Sequence, residues 1–145
     1  MIASLSATAL LRRPCWIRWR DGAWIHYFQG AAIPHPQLVD AHSLGDFTAE
    51  IEDVFIYGYK PGPGDVVIDV GAGFGAEALV FSRLVGSTGS VISLEPHPAT
   101  YSWFTRLCQL NKLENVTPLQ IAASAEEGEL IITDQDAYER NTVLA

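Results

Sequence analysis

The residues best placed to do chemistry lie in the segment Asp69-Val70-Gly71-Ala72-Gly73-Phe74-Gly75, with Glu77 just after it and Glu95 further on. A turn this rich in glycine lets the backbone approach a ligand closely, because side chains that would block it are missing. If a helix starts directly after the turn, its first unpaired N–H groups face the same space. A carboxylate at the end of the next strand of a parallel sheet lands beside such a turn, where it can accept both hydroxyls of a ribose. Asp69, the glycines and Glu95 together describe a nucleoside-cofactor site.

The class of cofactor turns on Asp69. Gly71, Gly73 and Ala76 also satisfy the G-x-G-x-x-A pattern of NAD- and FAD-linked oxidoreductases. A dinucleotide presents a pyrophosphate near this turn and gains nothing from an acid two residues before the first glycine. S-adenosylmethionine (SAM) carries an ammonium and a sulfonium, and both cations favour a nearby carboxylate. The residues therefore point to SAM, with the oxidoreductase as the alternative. Other chemistries lack their residues. His26, His35, His42 and His97 do not recur at metal-ligand spacing, so no metal is expected. There is no G-x-S-x-G elbow and no G-x-x-x-x-G-K loop.

These residues need elements to hold them. Val66 to Val70 is a short apolar run, predicting a parallel strand buried on both faces. Ala76 to Val85 keeps a helical period, with Gly86 at its C-terminal end. Val91 to Glu95 reads as a second strand, Pro98 opens another helix with Tyr101, Phe104, Leu107 and Cys108 on one face, and Val116 to Ala122 reads as a third strand. Pro118 cannot donate a ladder hydrogen bond, which places that strand at an edge, and right-handed crossovers give the order 3-2-1. Gly128 to Thr133 suggests one more short strand in a hairpin.

Ahead of this block, Trp16 to Arg20 and Ala23 to Phe28 flank Asp21-Gly22, a dipeptide suited to a type I′ turn, and predict a β-hairpin. Gln29 to Gly45 shows no sustained period and reads as a loop. Asp46 or Thr48 is a candidate cap for a helix carrying Ile51, Val54, Phe55 and Tyr59, stopped by Pro61-Gly62-Pro63-Gly64. Met1 to Leu11 reads as a poorly ordered tail. It is too short to span a bilayer, and Arg12-Arg13 follow the apolar run, the wrong order for a signal peptide. The expected division is residues 1–45 as tail, hairpin and loop, and 46–145 as the cofactor-binding domain.

Bulk composition limits the partners. An apolar content of 48% with 18% charged residues suits a globular core. A net charge of −8, with nine Lys and Arg spread along the chain, argues against nucleic acid and anionic membranes. Cys15 and Cys108 stand far apart with no CxxC pair, as expected of a cytoplasmic protein. Tyr57, Tyr59 and the aromatic hairpin are candidates to cover an acceptor, although aromatics at such periods more often pack into a core.

Pro63 to Ala72, the Glu95-Pro96-His97-Pro98 segment and Asn111 to Val116 resemble the FkbM family of SAM-dependent methyltransferases, over roughly residues 52–133. The resemblance implies a Rossmann-like class I methyltransferase fold of the α/β class and O-methyl transfer to a small-molecule, sugar or lipid hydroxyl. By the same resemblance Asp69, Gly71, Gly73 and Gly75, in a turn that includes Ala72 and Phe74, hold the methionine part of SAM. Glu95 holds the ribose hydroxyls, Pro96 is counted among the cofactor-binding residues, His97 borders the adenine, and Ala122 and Ala123 line the adenine pocket. Glu77 would face the amino group of SAM, its alternative role being complementarity with the helix dipole. The family's fourth core strand, with its Asp-Val-Glu-Gly segment, has no counterpart in Asp134 to Ala145. The expectation is thus a fold truncated after the third core strand, possessing an N-terminal hairpin, an unassigned general base, and an uncovered sheet edge open to self-association. A remnant without turnover is the corresponding non-enzymatic reading.

Overall fold

The computed structural model describes residues 4–5, 8, 14–38, 51, 53–129, 131–132 and the backbone of 143–144. They fall into two compact units: residues 1–60 with 109–112, and residues 61–108 with 113–145.

The first unit is built on an antiparallel sheet of β1 (Cys15–Arg20), β2 (Ala23–Phe28) and β3 (Ala31–His35), in the order β1-β2-β3. Asp21 and Gly22 both take positive φ, 51° and 75°, as the type I′ turn requires. The same device recurs at Gln29 and Gly30, at 48° and 73°, and turns the chain into β3. The expected loop from Gln29 is therefore a third strand for its first part. Pro34 hid it, because proline is at home only where its missing N–H faces away from the ladder, as on this edge strand. Ile25, His26 and Phe28 of β2 are buried between their neighbours.

Of the stretch read as a tail, Ser4, Leu5 and Thr8 are described, and Ser4 and Thr8 reach the first sheet through their hydroxyls. Both are in helical conformation, one turn apart, and both meet the free edge of β1. Ser4 Oγ accepts from Ile17 N at 3.0 Å, and Thr8 Oγ1 accepts from Cys15 N at 3.0 Å. In this unit Asn111 clamps Ala32, its Oδ1 accepting from Ala32 N and its Nδ2 donating to Ala32 O, each at 2.7 Å. Residues 51 and 53–55 are helical, whereas Tyr59 lies beyond the helical turn and is exposed. The proposed caps Asp46 and Thr48 lie outside the described residues.

The second unit holds the parallel sheet. Its elements are β4 (Val66–Val70), α1 (Ala76–Val85), β5 (Ser90–Leu94), α2 (Pro98–Asn111), whose last residues from Gln109 count with the first unit, and β6 (Val116–Leu119). The strand order is β4-β5-β6, all parallel, so Pro118 does sit on an edge strand as its chemistry demands. Gly86, at φ 64°, ends α1. Asn115 ties the sheet to α1, its Nδ2 donating to Ser82 O at 3.0 Å and Gly86 O at 2.9 Å. A short antiparallel pair, β7 (Ile131–Ile132) with β8 (Val143–Leu144), places a two-residue strand within the stretch Gly128 to Thr133; the residues that connect the pair lie outside the described ones.

Within this chain β4 is not buried on both faces. Val66, Ile68 and Val70 are 65%, 68% and 62% exposed, while Asp69 on the other face is buried. Successive right-handed crossovers in one direction carry both helices to the same side of a sheet. The side bearing Asp69, Val91, Ser93 and Val116 is therefore packed, and the opposite side is bare along β4. The third strand also stops at Leu119 rather than Ala122.

Candidate functional site

The carboxyl ends of β4 and β5 are locked together by backbone. Gly71 N and Ala72 N both donate to Leu94 O, at 2.8 and 3.0 Å, and Glu95 N donates to Leu119 O at 3.0 Å. This brings the glycine turn, Glu95 and the end of β6 to one edge of the sheet. The three turn glycines differ in role. At Gly71 (φ 83°) a Cβ would meet nothing within 4 Å, as also at Gly73, so the backbone faces open space. At Gly75 (φ 90°) a Cβ would overlap the ring of Phe104, so this glycine lets α1 pack against α2. Gly75 thus has a packing role in the turn, and Ala72 is fully buried beneath it.

Glu95 is buried and bridges two elements. Its Oε2 accepts from Gly73 N and its Oε1 from His97 N, each at 2.9 Å. Each carboxylate oxygen can take a second hydrogen bond, so acceptor capacity remains for a ligand's hydroxyls. Asp69, opposite Ser93 in the ladder, is 9% exposed. Asp69 Oδ2 has no hydrogen-bond partner, and the fully buried Ser93 Oγ faces the carboxyl without reaching hydrogen-bond geometry, so its effect on the acid is that of a nearby dipole. Burial pushes the Asp69 carboxyl above its usual range, the facing Ser93 hydroxyl pulls it partly back, and the Glu95 charge pushes it up again. Glu77, in the first turn of α1, is also raised: burial first, offset by its own backbone N–H, then repulsion from Asp69. Three carboxylates therefore crowd one site, and none of these shifts has a cation among its causes.

His97 is buried, contrary to the exposed placement that was the alternative to an adenine contact. Its carbonyl accepts from Tyr101 N at 2.8 Å and its Nδ1 meets Thr100 Oγ1 at 3.3 Å, so it opens α2. Pro96 and Ala122 line one cleft of about 620 Å³ with Gln120, Ile121 and Ile132, next to Glu95. Ala123 is exposed and does not line it. Phe74 tilts against Trp103, ring centroids 6.3 Å apart, and the Arg106 guanidinium lies 5.5 Å from the Trp103 ring.

Ser93 and Trp103 escaped the sequence reading. Ser93 left a signal, being a polar residue within an apolar strand, two positions before Glu95 and therefore on the same face. Trp103 left none, because nothing in the helical period shows that Phe74 leans on it. Among the described residues no group of His, Cys, Asp and Glu is arranged to hold a metal ion, and no helix is long and apolar enough to cross a membrane.

A parallel sheet with a glycine turn and an acid at adjoining strand ends defines the first part of the Rossmann-like class I methyltransferase fold. The chain belongs to the protein-L-isoaspartate(D-aspartate) O-methyltransferase (PCMT) family, whose model matches residues 58–138. The fold is shared with P. horikoshii TYW2 in complex with MeSAdo (18% identity, TM-score 0.55), covering 87% of this chain and 49% of that one. It is shared too with a putative transferase from Pyrococcus horikoshii (17%, TM-score 0.53), covering 79% of this chain and 45% of that one. M. jannaschii TYW2 in complex with AdoMet is a third (22%, TM-score 0.51), with 70% and 44% covered. The chain thus spans less than half the length of these structures. No curated protein matches it in sequence.

Proposed function

We propose that this chain carries the SAM-binding part of an O-methyltransferase. The observation that carries the reading is the buried, partnerless Asp69 Oδ2 within a cluster of three carboxylates beside an open glycine turn. A buried acid without a partner is costly unless a ligand completes it, and an anionic cluster selects a cationic ligand. A dinucleotide would bring its pyrophosphate to this cluster, which argues for SAM over NAD or FAD. When bound, SAM supplies a methyl group made electrophilic by its sulfonium.

The chain's own residues do the holding. Asp69 and Glu77 would attract the ammonium and sulfonium end, and Glu95 would take the ribose hydroxyls with its spare lone pairs. Pro96 and Ala122 would line the side toward the base, with His97 behind them. Gly71 and Gly73 leave room for the ligand against the backbone. No general base is assigned, and catalysis in this half rests on positioning. The acceptor is an oxygen nucleophile. The Glu95-Pro96-His97-Pro98 segment supports the narrower FkbM kinship and a small-molecule, sugar or lipid hydroxyl, whereas the PCMT match supports a carboxylate. The net charge of −8 and two separate, buried thiols support a cytoplasmic protein that avoids nucleic acid and anionic membranes.

The test is ligand-induced stabilisation. SAM should raise the melting temperature, and Asp69→Ala and Glu95→Ala should abolish the shift. A shift with NAD or FAD but not SAM overturns the proposal.

A further inference from the structure

Ser93 places a hydroxyl in the middle of the parallel sheet that no structural bond uses. It lies on β5, between β4 and β6, in register with Asp69 on one side and Pro118 on the other, so the three side chains share the packed face. Its side chain is fully buried. Ser93 Oγ and Asp69 Oδ2 are both buried polar atoms without a hydrogen-bond partner. Two such atoms at one register position of adjacent strands are costly apart and complementary together, because a hydroxyl donates to a carboxylate and accepts from a carboxyl. Pro118 has no polar side-chain group, so across the ladder Asp69 is the polar side chain that Ser93 can serve.

The charges around Asp69 show what such a hydroxyl does. Asp69 and Glu77 of α1 repel one another, and Glu95 repels Asp69 from the end of β5. His97, at the start of α2, gives its N–H to Glu95, and Pro118 of β6 adds no charge. Burial raises the Asp69 carboxyl, Ser93 lowers it and Glu95 raises it, so of these influences only Ser93 favours the ionised form. We propose that Ser93 is a positioning residue of the cofactor site: its hydroxyl turns to donate to Asp69 and holds that acid, as a carboxylate, toward the cationic end of SAM. This role rests on SAM being the ligand. A small rotation of a serine side chain closes the hydrogen bond, and the fold loses nothing by it, since the hydroxyl makes no other.

Calorimetric titration of the full chain with SAM, repeated across the pH range in which Asp69 titrates, tests this. Ser93→Ala should weaken binding about tenfold or more and move the rise of affinity to higher pH, while its melting temperature without SAM stays at or above that of wild type. Ser93→Cys, close to serine in shape but a weak donor, should behave like the alanine variant. A second readout needs no cofactor: followed by carbon NMR without SAM, the Asp69 carboxyl should titrate at higher pH in Ser93→Ala than in wild type. A wild-type chain that binds no SAM, but whose Asp69 midpoint rises in Ser93→Ala, overturns the SAM reading and keeps the Ser93–Asp69 pair. Equal affinity and pH profile in wild type and Ser93→Ala, an unmoved Asp69 midpoint, or a loss of binding matched by a loss of melting temperature would overturn the inference.

Discussion

Replacing Gly75 by alanine should destabilise the fold far more than replacing Gly71, although both glycines belong to one turn and both have positive φ. At Gly71 the new methyl meets nothing within 4 Å, so the cost is that of a left-handed backbone with a Cβ, about 1–2 kcal/mol. At Gly75 the same backbone cost applies, and the methyl also overlaps Cδ2 and Cε2 of Phe104. Phe104 is fully buried and cannot swing away, so overpacking adds about 1–3 kcal/mol. The expected losses are therefore about 1–2 kcal/mol for Gly71→Ala and about 2–5 kcal/mol for Gly75→Ala. Urea unfolding followed by circular dichroism reads both, and the comparison is sound if the slopes agree. Phe104→Leu in the Gly75→Ala background should recover part of the loss, since a smaller side chain frees the space. Binding should reverse the ranking relative to stability: Gly71→Ala, milder for the fold, places its methyl where the proposed cofactor must lie and should lose the SAM shift. Equal losses at the two glycines, or no recovery with Phe104→Leu, would refute this division of roles within the turn.

Two further outcomes follow from buried titrating groups. The Asp69 carboxyl is raised in the folded chain, so between its ordinary value of 3.8 and its raised one the folded state holds a proton that the unfolded state has lost. Stability is then lost as pH rises through that window, and Asp69→Asn should gain on wild type over the same range; a stability difference independent of pH would rule the argument out. SAM affinity should move oppositely, strengthening with pH as Asp69 and Glu77 deprotonate, measured by calorimetry. Burial pushes the Cys108 thiol up to about 11 and raises Cys15 as well, so neither should react with iodoacetamide at pH 8 until urea unfolds the chain. Rapid labelling of both thiols in the native protein would contradict their burial.

Much of the architecture follows from local chemistry. Asp21-Gly22 specified its hairpin because few residues accept consecutive positive φ angles. Pro118 placed β6 at an edge because a missing N–H cannot serve a central strand. Strand, glycine turn, helix and acid-terminated strand define the sheet and the proximity of Asp69 to Glu95, since parallel pairing leaves one place for each. β3 was hidden because Pro34 and two alanines carry little strand signal, and only pairing with β2 makes them a strand.

What the sequence alone determined is the order of the parallel strands and the meeting of Asp69 and Glu95 at a glycine turn, because these depend on spacing and backbone geometry. Tertiary structure decided which glycine packs and which faces open space, that Ser93 stands beside Asp69, and that His97 opens a helix from a buried position. It also decided that one face of β4 is bare. An apolar run of five residues is compatible with burial on two sides or one. Within this chain Val66, Ile68 and Val70 are exposed on one side of the sheet, and Asp69 is buried on the other.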